Sequence, residues 1–104
     1  MVEKSNIIEL NKGKIPPQSI DLEEAVIGAM IIDKDGLNRA IELLTSDVFY
    51  KESNKIIFES ISSIFNRNEG VDLLTVSSEL KRVSKLDLIG GDFTLIELTQ
   101  KVSS

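Results

Sequence analysis

The sequence predicts an all-α fold, a compact orthogonal bundle of about five helices that follows a flexible N-terminal arm. Apolar residues recur at helical spacings of three and four along most of the chain. Capping residues and turn signals divide these stretches into segments of helical length. The chain has 104 residues, which suits one small domain with a modest core.

Residues 1–14 mix charged residues, asparagines and a glycine without a clear period, so we expect a mobile arm. Pro16 and Pro17 favour extended backbone, and the first helix therefore starts only after Pro17. Asp21 and Glu24 have the spacing of a capping box, in which each side chain satisfies a free amide at the helix start. The helical period predicts that its buried face carries Leu22, Ala25, Val26, Ala29 and Met30.

Gly28 lies in the middle of this first helix, where glycine costs about 1 kcal/mol relative to alanine. Close approach of another backbone would compensate for that cost. The alternative is a glycine that is merely tolerated.

A turn at residues 33–36 precedes a short second helix, whose apolar positions are Leu37, Ala40, Ile41 and Leu44. After a cap or turn at residues 45–47, Phe49 and Tyr50 belong to a compact apolar cluster. The third helix should run from about Lys51 to Arg67 and be the longest element. Its β-branched residues would also suit a strand, but the spacing is helical and the segment is too long for one.

Asp72 is predicted to cap a fourth helix, with Leu73, Val76, Leu80 and Val83 on its apolar face. Gly90 and Gly91 permit a tight turn after it. Asp92 should then cap a fifth helix that extends to about Val102. Its expected core residues are Phe93, Ile96 and Leu98.

The composition excludes several kinds of chemistry. The net charge is −5 and the aromatic residues are four Phe and one Tyr, so tight binding of DNA by this chain is not expected. The absence of Cys and His removes thiolate chemistry, the usual zinc ligands and any histidine base. Gly13 and Lys14 do not form a phosphate-binding loop, since Ile8 and Ile15 occupy positions that require other residues. We therefore assign no catalytic, cofactor-binding or metal-binding residue.

The only candidate partner-binding residues by charge are Lys81, Arg82 and Lys85, at the end of the fourth helix. A solvated helix end that complements the helix dipole is the alternative interpretation. The N-terminal stretch has no apolar segment typical of a signal peptide or a membrane span, so we expect a soluble cytoplasmic protein without membrane contact.

Four blocks of the sequence carry a resemblance to a known family. They are Pro16 to Gly28, Asp47 to Tyr50, Asp72 to Leu80 and the pair Gly90-Gly91. In this order and at these separations they resemble the N-terminal domain of the bacterial replicative DNA helicases, the DnaB family, from about Ile15 to the C-terminus. Two positions depart from the family pattern: Asn54 stands where histidine is frequent, and Ser84 where a helix-ending glycine is common.

The resemblance implies a six-subunit ring helicase that moves 5′ to 3′ on single-stranded DNA, with ATP and Mg²⁺ bound by a motor domain. The N-terminal domains form a collar that contacts other helicase subunits and receives primase, with a helicase loader as a further candidate partner. Residues 15–104 would be this domain, truncated before the helical hairpin, linker and motor. We expect such a fragment to have no enzymatic activity and to be a monomer or weak dimer.

Three other interpretations remain open on the sequence. One is the related helicase-binding domain of primase, although the Pro-Pro arm and the Asp-x-Phe-Tyr block favour the helicase. Another is a stand-alone helical adaptor. The last is a small acidic enzyme, which the lack of His and Cys disfavours.

Overall fold

The computed structural model describes residues 19–102, which contain no strand. In chain order the elements are α1 Ile20–Ile32, α2 Lys34–Leu43, a 3-10 helix Ser46–Val48, α3 Glu52–Asn66, α4 Leu73–Arg82 and α5 Gly91–Lys101. The predicted all-α class is confirmed, and α3, with 15 residues, is the longest helix as expected. The arm and the prolines Pro16 and Pro17 lie outside the described residues.

Helix α1 is the centre of the bundle, because it packs against each of the other four α-helices. Among the described residues, sixteen apolar side chains are buried in the core, and α3 supplies the largest share of them. Phe49 is fully buried, and its ring centroid lies 5.0 Å from that of Phe58 on α3. Tyr50, predicted to belong to the same apolar cluster, is instead about half exposed.

The predicted buried face of α1 is wrong except for Met30. Leu22 is 59% exposed, and Ala25, Val26 and Ala29 are only partly buried. The helix is apolar on nearly every side, so its hydrophobic period does not determine which side faces the core. The face that packs inward carries Glu23, Glu24, Ile27, Gly28, Met30 and Ile31.

The predicted capping box of α1 is also wrong. The helix begins at Ile20 with Ser19 as its N-cap, and the Ser19 side chain makes no capping hydrogen bond. Asp21 therefore lies inside the first turn, where its carboxylate accepts from Lys101 Nζ at 3.3 Å. Glu24 likewise binds lysines of other elements. These contacts from distant parts of the chain replace the local cap that the spacing suggested.

Gly28 lies where α1 and α5 approach most closely. A Cβ atom built on it would lie 2.1 Å from the Leu98 carbonyl oxygen and 2.8 Å from Val102 Cγ2. No side chain fits at that distance. The close backbone approach expected for this glycine is thus present.

The predicted turn at residues 33–36 is shorter than expected. Only Asp33 separates α1 from α2, and its side chain accepts a hydrogen bond from the Gly36 amide at 3.2 Å. An aspartate at this position satisfies a free amide of α2 without a longer loop. The chain therefore reverses within one residue.

The prediction that Asp72 caps α4 is confirmed. Its carboxylate accepts from the Thr75 amide at 2.8 Å, and the Thr75 hydroxyl accepts from the Asp72 amide at 2.9 Å. Val76 and Leu80 are fully buried, as their spacing predicted, whereas Val83 lies past the helix end and is exposed.

The start of α5 differs from the prediction by two residues, since Gly90 and not Asp92 is the N-cap. The helix begins at Gly91, and Gly90 is its N-cap; both glycines have positive φ angles, 107° and 80°, as a tight turn requires. Asp92 does not cap the helix, because its carboxylate accepts from the Ser77 hydroxyl of α4 at 2.6 Å. The predicted core face is correct only for Leu98. Leu95 is its buried partner, while Phe93 and Ile96 are exposed.

Candidate functional site

Glu23 is a fully buried carboxylate that connects α1 to the start of α3. It accepts hydrogen bonds from the Tyr50 amide at 2.5 Å, the Lys51 amide at 3.3 Å and Asn54 Nδ2 at 3.0 Å. Lys51 is the N-cap of α3 and has no side-chain acceptor for the free amides there. Glu23 supplies that acceptor from another helix, where the dipole also favours an anion. Its three bonds identify a structural role.

Glu24, the next residue, is the centre of an ion-pair cluster between three helical segments. Its carboxylate lies 2.9 Å from Lys51 Nζ and 3.0 Å from Lys101 Nζ, and Lys101 also reaches Asp21. Burial raises the pKa of the Glu24 carboxyl, but hydrogen bonds from Lys51 and Lys101 outweigh that effect and the pKa is lowered overall. The pKa of Lys101 is raised by its bonds to Glu24 and then to Asp21. The cluster connects the start of α3 and the end of α5 to α1.

Glu79 is the centre of a second cluster, on the far side of α3 and α4. Its carboxylate lies 2.7 Å from Arg82 Nη2 and 2.9 Å from Arg67 Nη2, and Arg67 also binds Glu69 at 3.1 Å. The hydrogen bonds from Arg82 and Arg67 lower the pKa of Glu79 to about 2. Its side chain is only 5% exposed, so both arginines hold a largely buried charge.

The structure separates the three predicted partner-binding residues by role. The Arg82 guanidinium donates two hydrogen bonds to Glu79, so its charge is already paired within the domain. Lys81 and Lys85 are exposed at the end of α4. Ser84, between them, has a φ of 60°, the left-handed conformation for which glycine is favoured. Two exposed lysines therefore remain of the predicted patch.

Large exposed apolar side chains are the other candidates for contact with a partner. Phe93 is 67% exposed and Ile96 is 41% exposed; with a spacing of three residues they share the outer face of α5. Leu74 on α4 is 75% exposed. Further large apolar side chains in this class are Leu22, Ile32, Leu43, Tyr50 and Leu88.

Neither a metal-ligating cluster nor a membrane-spanning helix accompanies these surfaces in the part of the chain that the structure describes. Among residues 19–102, no group of three or more His, Cys, Asp or Glu side chains could hold a metal ion. Within the same residues, none of the helices is long and apolar enough to cross a membrane. The main features of the described residues are ion pairs within the fold and large apolar side chains on its surface.

The described residues define a small all-α domain with large apolar side chains on its surface, and comparison with known proteins defines its family. The chain belongs to the family described as the DnaB-like helicase N terminal domain, which matches residues 15–104.

Its relatives include whole helicases. It is 46% identical over 92 residues to the replicative DNA helicase DnaB of Rhodothermus marinus, covering 88% of this chain and 10% of that protein. It is 42% identical over 94 residues to DnaB of Geobacillus stearothermophilus, covering 90% of this chain and 21% of that protein. The chain thus spans no more than about a fifth of the length of these curated relatives.

The fold is also found in a solved structure. The crystal structure of the N-terminal domain of DnaB helicase from Mycobacterium tuberculosis matches with a TM-score of 0.79 and 33% identity, covering 85% of this chain and 61% of that one. The resemblance found in the sequence motifs is confirmed by both comparisons.

Sequence reasoning missed the role of Glu23 and of its partner Asn54. The position of Glu23 in the first turn of α1 suggests only a favourable interaction with the dipole of that helix, whereas the carboxylate stabilises the start of α3. The sequence carried no signal for this role, because adjacent positions of a helix are only about 100° apart and both glutamates would be able to face solvent. Asn54 is 1% exposed and donates to Glu23, so a histidine at this position would meet the same requirement through a ring N–H.

Proposed function

We propose that this chain is a protein-interaction and ring-assembly module of a replicative ATP-dependent DNA helicase. It contributes to the collar of the hexamer and to docking of primase in DNA replication. The observation that carries the proposal is the apolar outer face of α5, where Phe93 and Ile96 are exposed in a domain of this family. Aromatic and aliphatic side chains in such positions are typical anchors of protein interfaces.

The partners in this proposal are other helicase subunits, primase and a helicase loader. The α5 face suits a partner with an apolar groove. Lys81 and Lys85 offer a separate, weaker contact for an acidic surface, because Arg82 is neutralised by Glu79. Charged side chains at the edge of an interface change the rate of association more than the affinity.

Catalysis belongs to the rest of the parent protein in this proposal. ATP and Mg²⁺ would bind in the motor domain, in the cytoplasm where the replisome operates. We expect this chain alone to hydrolyse no ATP and to be a monomer or weak dimer. A stable hexamer of this chain in light scattering would contradict the expected oligomeric state.

The docking proposal is tested with the helicase-binding domain of primase as titrant in calorimetry. The double substitution Phe93→Asp and Ile96→Asp should weaken binding at least tenfold, because it places charge at the centre of the contact. Leu43→Asp is the matched control, since Leu43 is also 67% exposed but lies on α2. Equal affinity of the double variant and the unsubstituted chain would overturn α5 as the docking face.

The basic residues are tested by charge reversal with the same titrant. Lys81→Glu and Lys85→Glu should slow association and reduce its salt dependence, while the fold stays intact because both side chains are exposed. Unchanged association kinetics would remove the patch from the proposal.

The reading frame beyond Ser104 distinguishes the helicase module from a stand-alone adaptor. A phosphate-binding loop within a downstream motor domain supports the proposal. A stop codon close to Ser104 would contradict it.

A further inference from the structure

A groove opens where the C-terminal end of α1 meets the start of α2 and the loop between α3 and α4. Its volume is about 780 Å³, comparable to sites that enclose a ligand of moderate size. The side chains of Ile32, Phe65, Val71 and Leu73 line it and are exposed or only partly buried. This apolar floor is not covered by any described part of the chain.

The rim of the groove is mainly acidic. Asp33, Glu69 and Asp72 line it, against the single ammonium of Lys34. Asp33 and Asp72 each use one carboxylate oxygen to cap a helix, which leaves the other oxygen available. The groove therefore suits an apolar segment that is flanked by lysine or arginine.

The N-terminal segment of this chain has that composition. Ile7, Ile8 and Leu10 are its larger apolar residues besides Met1 and Val2, and basic residues lie on both sides of them: Lys4, Lys12 and Lys14. Glu9 is the one acidic residue of the segment 4–14, so three lysines against one glutamate leave it with a net positive charge. This segment enters α1 at the end opposite the groove.

The outer face of α1 joins the two ends. Leu22, Ala25, Ala29 and Ile32 follow one another at helical spacing on that face, and Leu22 and Ile32 are both more than half exposed. From Ile20 to Ile32 the helix rises about 18 Å, at 1.5 Å per residue. The eight residues between Leu10 and Ser19 give nine Cα–Cα steps, which extend to about 30 Å, so the distance can be covered with a reversal of direction.

We propose that residues 4–14 fold back along the outer face of α1 and place Ile7, Ile8 and Leu10 in this groove of the same molecule. The segment then covers the exposed apolar stripe of α1, and its lysines meet the acidic rim. Composition alone predicted a mobile arm; the uncovered groove gives the arm a binding site. The proposal does not depend on the function proposed above.

The absence of cysteine allows a direct test by paramagnetic NMR on the whole chain. A nitroxide on Ser5→Cys should remove most of the amide signal intensity of Asp33, Val71 and Leu73. Amides near Ser62, which lines a different pocket on α3, should keep theirs. Uniform or absent broadening would overturn the proposal.

Further samples show whether the arm comes from the same molecule or from a second copy, and whether its apolar side chains anchor it. Mixing unlabelled tagged chain with ¹⁵N-labelled untagged chain should give no broadening; broadening there would assign the groove to the arm of a second copy and overturn docking within one molecule. The double substitution Ile8→Asn and Leu10→Asn should abolish the selective loss. The control Asn6→Ser and Asn11→Ser should retain it, and equal behaviour of the two variants would contradict an apolar anchor.

Discussion

Glu23 and Glu24 are neighbours in sequence, but their carboxylates stabilise different parts of the fold. Glu23 accepts three hydrogen bonds at the start of α3, where burial makes every unsatisfied donor costly. Glu24 binds Lys51 and Lys101 at the edge of the domain, where solvent reduces the strength of each pair. Glu23 is therefore the residue whose loss the fold should tolerate less.

Replacing Glu23 by alanine should lower the free energy of unfolding by about 2 to 3 kcal/mol, because buried donors of Tyr50, Lys51 and Asn54 lose their acceptor. Urea unfolding followed by circular dichroism measures the change. Glu59→Ala is the matched control on α3, where the side chain is exposed, and should change stability by no more than about 0.5 kcal/mol. Equal effects of both substitutions would contradict the capping role of Glu23.

Gly28→Ala should destabilise the domain by about 1 to 3 kcal/mol, although alanine favours a helix. The added Cβ would lie 2.1 Å from the Leu98 carbonyl oxygen, so α1 and α5 would have to separate. Thermal unfolding is the measurement. Gly70→Ala is the control, since nothing lies within 4 Å of a Cβ there, and a stable Gly28→Ala variant would refute the close-approach argument.

Single residues also show what local sequence patterns can and cannot predict. The caps at Asp72 and the conformations of Gly90 and Gly91 depend on nearby backbone, and the sequence predicted them. The partners of Asp21 and Glu24 lie as many as 80 residues away, on α5. A local pattern cannot exclude such partners, and the predicted capping box was wrong for that reason.

Among the elements, α3 and α4 are joined at the surface by the Glu79 cluster. Arg82 and Arg67 lower the pKa of Glu79 to about 2 from 4.5. A carboxyl whose folded pKa is depressed contributes stability above its unfolded pKa, and the contribution is lost as pH falls through the folded value. The α3–α4 connection should therefore weaken between about pH 4.5 and about pH 2.

Substitution Glu79→Gln should make stability less dependent on pH across that interval and lower it above pH 4.5. Urea unfolding at several pH values, for the variant and the unsubstituted chain, gives the two slopes. Glu59→Gln is the control and should keep the slope of the unsubstituted chain. Parallel slopes for Glu79→Gln would show that other carboxyl groups cause the acid sensitivity.

Helix positions were predicted better than helix orientations. All five helices occur where caps and apolar spacings placed them, within three residues at their starts. The buried face of α4 was also largely correct, because that helix is amphipathic. In α1 and α5 apolar residues occur on several sides, so only packing decides which of them are buried. Phe93 and Ile96, the proposed interaction residues, are among those placed wrongly.

The whole molecule depends on its last helix for a complete core. Leu95 and Leu98 of α5 are fully or almost fully buried, and α5 packs on both α1 and α4. A chain that ends after Asp87 should lose its cooperative thermal transition, because the apolar face of α1 would open to water.

Differential scanning calorimetry checks this, with removal of residues 1–14 as the control. The control should keep a cooperative transition, since the buried apolar residues that the structure describes lie between residues 27 and 98. A cooperative transition in the chain without α5 would contradict its place in the core.

The fold class and the family were predictable because they depend on features spread over the whole chain, such as apolar spacing and the order of four sequence blocks. The groove beside α1 was not predictable. It is formed by Ile32, Phe65, Val71 and Leu73, which are distant in sequence and meet only after α1, α3 and α4 have packed.

The crossing of α1 and α5 has a mechanical consequence. The close backbone approach of the two helices, at Gly28 and Leu98, lies within a few residues of the Lys101 ion pairs. Tension applied to the chain beyond Val102 is therefore delivered to this crossing and directly into the central helix. Because α1 packs against each of the other four α-helices, a force applied at that end acts on the whole bundle at once.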